Sequence, residues 1–288
     1  MSTGTIGIVG LGLIGGSMAR AYTRAGYTVL ALDKNKNAFS EAMTADAIAG
    51  ALTPETVCNC ELLLLAIYPQ AAIHVLTELA PHLNRHTLVI DLCGTKRKIV
   101  TEAAALAAKW GFSYIGGHPM AGTQFSGFAN SRHTLFHGAP MVLVPTTNDE
   151  DTVARAKSLL APVGFGSFAI TTAAQHDRVI AFTSQLAHVV SNAYVKSPQA
   201  QIHHGFSAGS YKDLTRVAWL NEKMWCELFL ENRDFLADEI DGIIHALSAY
   251  KAALAANDAK TLEALLREGR IAKEQADRNG EEYDDDNC

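Results

Sequence analysis

The chain has 288 residues, of which 48% are hydrophobic and 19% charged. At roughly 100–200 residues per domain, that length suits two domains with a sizeable core and excludes an intrinsically disordered chain. Lysine plus arginine is 24 against 30 for aspartate plus glutamate, a formal net charge of −6. A sequence-independent nucleic-acid binder needs a strong basic excess, so that class is excluded. No window approaches the ~18 consecutive apolar residues of a membrane span. The start, Met1-Ser2-Thr3-Gly4, lacks the basic run of a secretory signal. Cys58, Cys60, Cys93, Cys226 and Cys288 are odd in number, and their spacing fits neither a disulfide framework nor a zinc site. Reduced thiols in a cytoplasmic protein without a metal site are expected.

Residues 5–9 form a short β-prone run, 13–25 a helix and 27–32 a second strand. Residues 61–67 hold Leu62 to Leu65 in a row, as a strand buried on both faces would. A helix over 71–80 follows, then a strand over 87–91, a helix over 99–110, and strands over 112–116 and 140–144. This alternation predicts a parallel α/β sheet. After about residue 172 the period changes. Val179, Phe182, Leu186, Val189 and Tyr194 recur at helical spacing within 175–194. Trp225, Leu228, Phe235, Ile240, Ile243 and Leu247 continue the apolar pattern, and 256–270 is rich in alanine and leucine. The expected organisation is a sheet domain over 1–171, an all-helical domain over 172–280 and a disordered acidic tail over 281–288. One layer of helices cannot cover its own apolar stripe, so the helical domain is expected to pair with a second copy in a homodimer.

Gly10-Leu11-Gly12-Leu13-Ile14-Gly15 follows the first strand and opens the first helix. A lone glycine pattern is weak, but this context makes it a dinucleotide fingerprint. Gly10 permits the tight turn, Gly12 lets a pyrophosphate approach the backbone, and Gly15 lets the helix pack on the sheet. The free N–H groups of the helix start suit the phosphates. The predicted fold is therefore a Rossmann-type doubly wound, mostly parallel sheet followed by helices. Asp33 ends the second strand, 18 residues after Gly15, where a carboxylate meets an adenosine ribose. It would repel a 2′-phosphate, which favours NAD over NADP, although Lys34 or Lys36 could pair with such a phosphate. The candidate cofactor contacts are Gly10, Gly12, Leu13, Ile14, Gly15 and Asp33.

Gly116-Gly117-His118-Pro119-Met120-Ala121-Gly122-Thr123 follows a predicted strand, and ligands of open parallel sheets bind outside the carboxyl ends of strands. A neutral histidine there is a plausible general base. Two further polar clusters fall in the helical part. Gln175-His176-Asp177 begins a helix, with Ser184, Gln185 and His188 behind it, and Gly209-Ser210-Tyr211-Lys212-Asp213-Leu214-Thr215-Arg216 mixes charges with small residues. An arginine in such a segment is either a surface residue beside a helix cap or a bidentate partner for a carboxylate.

These residues resemble the prephenate/arogenate dehydrogenases from residue 5 to about 235. The specific part is His118-Pro119-Met120-Ala121-Gly122 with Ser126-Gly127 and Leu135-Phe136-x-Gly138-Ala139. Tyr211-Lys212-Asp213-Leu214-Thr215-Arg216-Val217-Ala218 is equally specific, with Trp225 nine residues past the arginine. The resemblance implies NAD-dependent oxidation of prephenate to 4-hydroxyphenylpyruvate and carbon dioxide in tyrosine biosynthesis. It implies that His118 takes the ring hydroxyl proton as hydride leaves, and that Arg216 binds a substrate carboxylate. His188, Trp225, Gly209 and Gln124 then line the substrate pocket.

The sequence departs from the family pattern in places. Asp91-Leu92-Cys93-Gly94-Thr95-Lys96 puts glycine where the family has an active-site serine, with Thr95 as the nearest candidate hydroxyl. Ser184-Gln185-Leu186-Ala187-His188 lacks one family histidine, and neutral Gln124 replaces a common glutamate, which leans towards prephenate over arogenate. No chorismate mutase segment or ACT regulatory domain is expected. A β-hydroxyacid-type dehydrogenase would share the glycine turn but needs a catalytic lysine motif that is not found. A non-catalytic NAD-binding redox sensor would leave His118 and Arg216 idle.

Overall fold

The computed structural model describes residues 4–123, 125–146 and 150–285, with side chains as far as Arg278. Among the described residues the strands are β1 (Thr5–Val9), β2 (Thr28–Leu32), β3 (Gly50–Ala51), β4 (Leu62–Leu65), β5 (Leu88–Asp91), β6 (Ser113–Pro119), β7 (Pro140–Pro145) and β8 (Ser167–Ile170). They form one sheet in the order β3-β2-β1-β4-β5-β6-β7-β8. Pairing is parallel from β3 to β6, antiparallel between β6 and β7, and parallel again between β7 and β8. The connecting helices are α1 (Leu13–Arg24), α2 (Lys36–Thr44), α3 (Pro69–Leu79), α4 (Arg97–Trp110) and α5 (Glu150–Leu160).

The run of four leucines is a central strand buried on both faces. Leu62 and Leu64 pack with Ile6, Ile8, Met18 and Tyr22, while Leu63 and Leu65 pack with Val9, Leu76, Val89 and Ile99 on the opposite face. All four leucines are fully buried, and each such side chain contributes about 1.5–3 kcal/mol of transfer free energy. Truncating one to alanine would cost about 2–5 kcal/mol.

Periodicity missed β3, β8, α2 and α5. The start of α2 had a local signal, because Asn35 caps it, its side chain accepting from Asn37 N at 3.0 Å and Ala38 N at 3.4 Å. Strand β6 runs three residues past the expected end at Gly116. Its parallel neighbour β5 pairs with it only to Gly116, but antiparallel β7 continues the ladder through His118 and Pro119. His118 is therefore held in a strand end rather than in a loop.

Beyond β8 the described residues contain helices and no strand. They are α6 (Ala173–Ile180), α7 (Ala187–Tyr194), α8 (Gly209–Thr215), α9 (Glu222–Glu231), α10 (Arg233–Ala255) and α11 (Ala259–Asp285). The helix expected over 175–194 is interrupted by a π turn, Ala181–Leu186, between α6 and α7. Residues 281–285 continue α11 where a disordered tail was expected, and 286–288 lie outside the described residues. By compactness the chain divides after Asn232. The reason is that α6 and the end of α9 are bonded into the sheet-bearing unit through Asp177 and Asn232.

The second unit, Arg233–Cys288, pairs α10 with α11. Asn257, at φ +53, turns the chain, and Asp258 caps α11 by accepting from Thr261 N at 3.0 Å. Ile244, Leu247, Leu254 and Leu266 are 54–64% exposed. No helix of the described residues is long and apolar enough to cross a membrane.

Candidate active site

The glycine turn has the shape a dinucleotide needs. Gly10 adopts φ +95, and a Cβ there would lie 2.6 Å from the Ala66 carbonyl oxygen. At Gly15 a Cβ would fall 1.8 Å from the Gly10 carbonyl oxygen, so α1 can approach β1 only as glycine. Gly12 has nothing within 4 Å in its Cβ direction, an open cradle beside the uncapped start of α1 where Leu13 and Ile14 lie. The first-turn N–H groups of a helix have no intrahelical partner and suit phosphate. Asp33 accepts from Leu11 N at 2.5 Å and Asn35 N at 2.7 Å, which fixes its carboxylate at the rim of the turn. A carboxylate has about four acceptor sites, so capacity remains for a ribose.

His118 and Ile14 line one cavity of about 790 Å³, which places the candidate base beside the cofactor turn. His118 keeps an edge open to that cavity but is otherwise densely surrounded. This burial pushes its pKa well below the ordinary histidine value, with the nearby His176 and Lys96 adding to the effect. The ring is therefore neutral near pH 7 and able to accept a proton. His118 Nδ1 lies 2.9 Å from His176 Nε2, and His176 Nδ1 lies 2.8 Å from Asp177 Oδ1. Asp177 also accepts from Lys96 N at 2.7 Å and Arg97 N at 2.9 Å. Burial works against its charge, but the His176 bond and these N–H donors outweigh it and hold its pKa low. Beneath lies a fully buried ion pair between Lys96 and Asp91, with Tyr114 Oη donating to Asp91 at 2.6 Å.

The same cavity is lined by His188, Arg216, Trp225 and Gly94. His188 Nδ1 donates to the Val217 carbonyl at 2.8 Å, and its ring centroid lies 4.0 Å from that of Trp225. Burial lowers the His188 pKa, the bond to Val217 opposes this, and Arg216 adds to the lowering. No carboxylate of the described residues forms an ion pair with Arg216.

Two expected site residues, Thr95 and Gly209, fall outside the cavity lining. The Thr95 hydroxyl donates to Glu231 at 2.6 Å, so it is turned to α9 and does not line the cavity. The Cβ direction of Gly94 meets Leu228 at 3.3 Å, so the place of a serine side chain is crowded by leucine. Gly209 opens α8 on the surface and does not line the cavity. Gln124 lies outside the described residues. Sequence reasoning noted Gln175-His176-Asp177 only as a polar helix start and gave it no role. The available signal was an adjacent His-Asp pair directly after a β–α connection in the half of the chain that also carries Arg216. Buried Gln185 was likewise singled out, but it bonds the Leu228 carbonyl at 3.1 Å and Asn232 at 2.8 Å as packing support.

A nucleotide turn at the carboxyl edge of a parallel sheet, opening on a neutral buried histidine, defines a dinucleotide-dependent oxidoreductase. Residues 18–168 match the family model for the prephenate dehydrogenase nucleotide-binding domain, and 172–268 match that for the prephenate dehydrogenase dimerization domain. The chain is 30% identical to a prephenate dehydrogenase of Bacillus subtilis, over 95% of this chain and 75% of that one. It is also 30% identical to a cyclohexadienyl dehydrogenase of Zymomonas mobilis, over 93% and 94% of the two chains. Among solved structures it resembles prephenate dehydrogenase from A. aeolicus in complex with hydroxyphenyl propionate and NAD+, at TM-score 0.82 and 27% identity, covering 96% of this chain and 99% of that one. The chain belongs to the prephenate dehydrogenase family.

Proposed function

We propose that this protein is an NAD-dependent prephenate dehydrogenase of tyrosine biosynthesis, converting prephenate and NAD+ to 4-hydroxyphenylpyruvate, carbon dioxide and NADH. The observation that carries this reading is one cavity that joins the glycine turn, through Ile14, to both His118 and Arg216. Gly10, Gly12, Leu13, Ile14, Gly15 and Asp33 would hold the cofactor, which when bound supplies a two-electron acceptor. His118 accepts the ring hydroxyl proton as the ring is oxidised. It is then placed to return that proton to the same oxygen when loss of carbon dioxide turns it into a phenol. Arg216 holds a substrate carboxylate, and His188 and Trp225 pack against the substrate. Thr95 is given no part in catalysis.

Arogenate is the second reading, because Glu222 is a carboxylate lining the same cavity and could pair with an ammonium group. The likeness to the cyclohexadienyl dehydrogenase supports keeping it. A homodimer accounts for the exposed leucines and isoleucine of α10 and α11, which need a covering surface. The unpaired thiols of Cys58, Cys60, Cys93 and Cys226 suit the cytoplasm. NADH production, followed at its near-ultraviolet absorbance, with prephenate or arogenate and with NAD+ or NADP+, tests the whole reading. Absence of turnover with both substrates would reject it.

A further inference from the structure

Two buried residues stand behind His118 with no part in the reaction described above. His176 is 3% exposed and Asp177 is 1% exposed. Their hydrogen bonds leave one consistent arrangement of protons. Asp177 is ionised and accepts only, so the His176 nitrogen 2.8 Å from it, Nδ1, must carry a hydrogen. Burial also lowers the His176 pKa, against the pull of Asp177, so the ring is neutral and its Nε2 is an acceptor. That Nε2 faces His118 Nδ1 at 2.9 Å, so His118 Nδ1 is the donor. The reverse order would set an unprotonated nitrogen of His176 against a carboxylate oxygen at 2.8 Å, two acceptors with no proton between them.

We propose that His176 and Asp177 are positioning residues that fix His118 in the Nδ1–H tautomer, so that its Nε2 lone pair is the basic atom of the site. The assignment of His118 as the base rests on the reading of the reaction given above; the proton order does not. When Nε2 takes the hydroxyl proton, His118 becomes an imidazolium. Its Nδ1–H then points through His176 to the carboxylate of Asp177, and no proton need leave the relay. A general base works only in the correct tautomer, which is why a carboxylate behind a histidine can matter to rate without touching substrate.

The carboxylate is itself immobilised from several sides. The N–H groups of Lys96 and Arg97 and the Arg97 guanidinium all donate to it. Asn232, fully buried, donates to the Asp177 carbonyl at 2.8 Å and accepts from Arg97 at 2.9 Å. This bracing ties the start of α4 to α6 and the end of α9, so the relay rests on three helices and not on a loop. It also supplies an orienting group where the chain has Gly94 in place of a side-chain hydroxyl.

The direct test is the imidazole nitrogen spectrum of the resting full-length enzyme, without substrate, after labelling histidine with 15N. The His118 signals are identified by their loss in His118→Asn. The expected result is a neutral ring with Nδ1 protonated and Nε2 not. A His118 ring protonated at Nε2 would overturn the proposal whatever the substrate proves to be. Two variants read the consequence. In Asp177→Asn the amide can donate to His176 Nδ1, which reverses the relay and places the His118 hydrogen on Nε2. In His176→Phe the acceptor is lost and the ring volume is nearly kept. Both should lower kcat by about 10²-fold or more with KM for substrate nearly unchanged, the range for impaired general-base catalysis. NADH affinity should equal that of the parent, as the check that the fold persists. Parental kcat in both folded variants would overturn the proposal, and if one fails to fold, the parent spectrum and the other variant decide.

Discussion

Replacing Lys96 by methionine should destabilise the protein and change the pH dependence of its catalysis together. Lys96 and Asp91 are both fully buried and paired, and the lysine stem passes under Gly116, whose missing side chain leaves its Cδ 3.4 Å away in the Cβ direction. Methionine fills much the same volume but leaves Asp91 without its counter-charge, with Tyr114 Oη at 2.6 Å and Cys93 N at 3.0 Å still donating to it. Breaking a buried pair from one side costs about 3–5 kcal/mol. At roughly 2–4 °C per kcal/mol for a chain of this size, Tm should fall by about 10 °C. Adding Asp91→Asn removes the stranded charge and keeps one acceptor, so the double variant should regain at least half of the loss. The charge of Lys96 is also one of the causes that hold the His118 pKa down. Without it that pKa rises, so the acid limb of the kcat/KM profile should move to higher pH. Differential scanning calorimetry and steady-state rates across pH measure both effects. A Tm within about 2 °C of the parent together with an unmoved acid limb would refute the electrostatic reasoning.

His118→Asn should lower kcat by roughly 10²–10⁴-fold with little change in KM. In the parent, the lowered His118 pKa means that the rate persists below the ordinary histidine range as pH falls, and is lost only when the ring protonates; a rate midpoint at or above that range would contradict the burial argument. Gly12→Ala should leave Tm unchanged, because its Cβ meets nothing, while NADH affinity by fluorescence titration drops about 10- to 100-fold, as loss of one charge-assisted hydrogen bond of ~1.5–3 kcal/mol would give. Asp33→Ala should weaken NAD+ more than NADP+, measured as the ratio of their kcat/KM values. Arg216→Ala should raise KM for prephenate with cofactor affinity unchanged, at a cost of about 2–5 kcal/mol, and Arg216→Lys should restore only part, because an ammonium cannot form the bidentate contact; parental KM in both would remove Arg216 from the substrate site.

The sheet was legible because its signals are local. Four consecutive leucines fit a strand buried on both faces, and the glycine turn can be read from one short segment with its flanking strand and helix. Elements with weak periodicity escaped. Strand β3 is two residues long, and β8, with the pattern exposed-intermediate-intermediate-exposed, has no buried run to betray it. The length of β6 could not be read from its own residues, since the antiparallel partner that prolongs it lies more than twenty residues on. The same limit governs the site. His118, His188, Trp225 and Arg216, chosen through motif context, line one cavity, whereas Thr95, chosen for adjacency alone, bonds Glu231. His176 and Asp177 lie 58 and 59 residues from His118, and only the fold sets them behind it.

That placement explains how the site can treat a dianion and a proton separately. The buried lysine is neutralised by Asp91, and the His176–Asp177 relay carries its own negative charge on the far side of His118 from the cavity. Burial keeps His118 and His188 uncharged near neutral pH. Among the described residues the cationic side chain lining the cavity is Arg216, and no carboxylate pairs with it. In the proposed reaction a substrate with two carboxylates would be held largely by that guanidinium, with the oxidised cofactor supplying further positive charge when bound. A bound nicotinamide would lose that charge on reduction, so the product side of the reaction would be held less tightly than the substrate side. One fixed cation, with a cofactor charge that would vanish on turnover, favours capture of the dianion over retention of the monoanionic product, while the reacting proton is taken at His118 and the His176–Asp177 pair behind it only orients that ring.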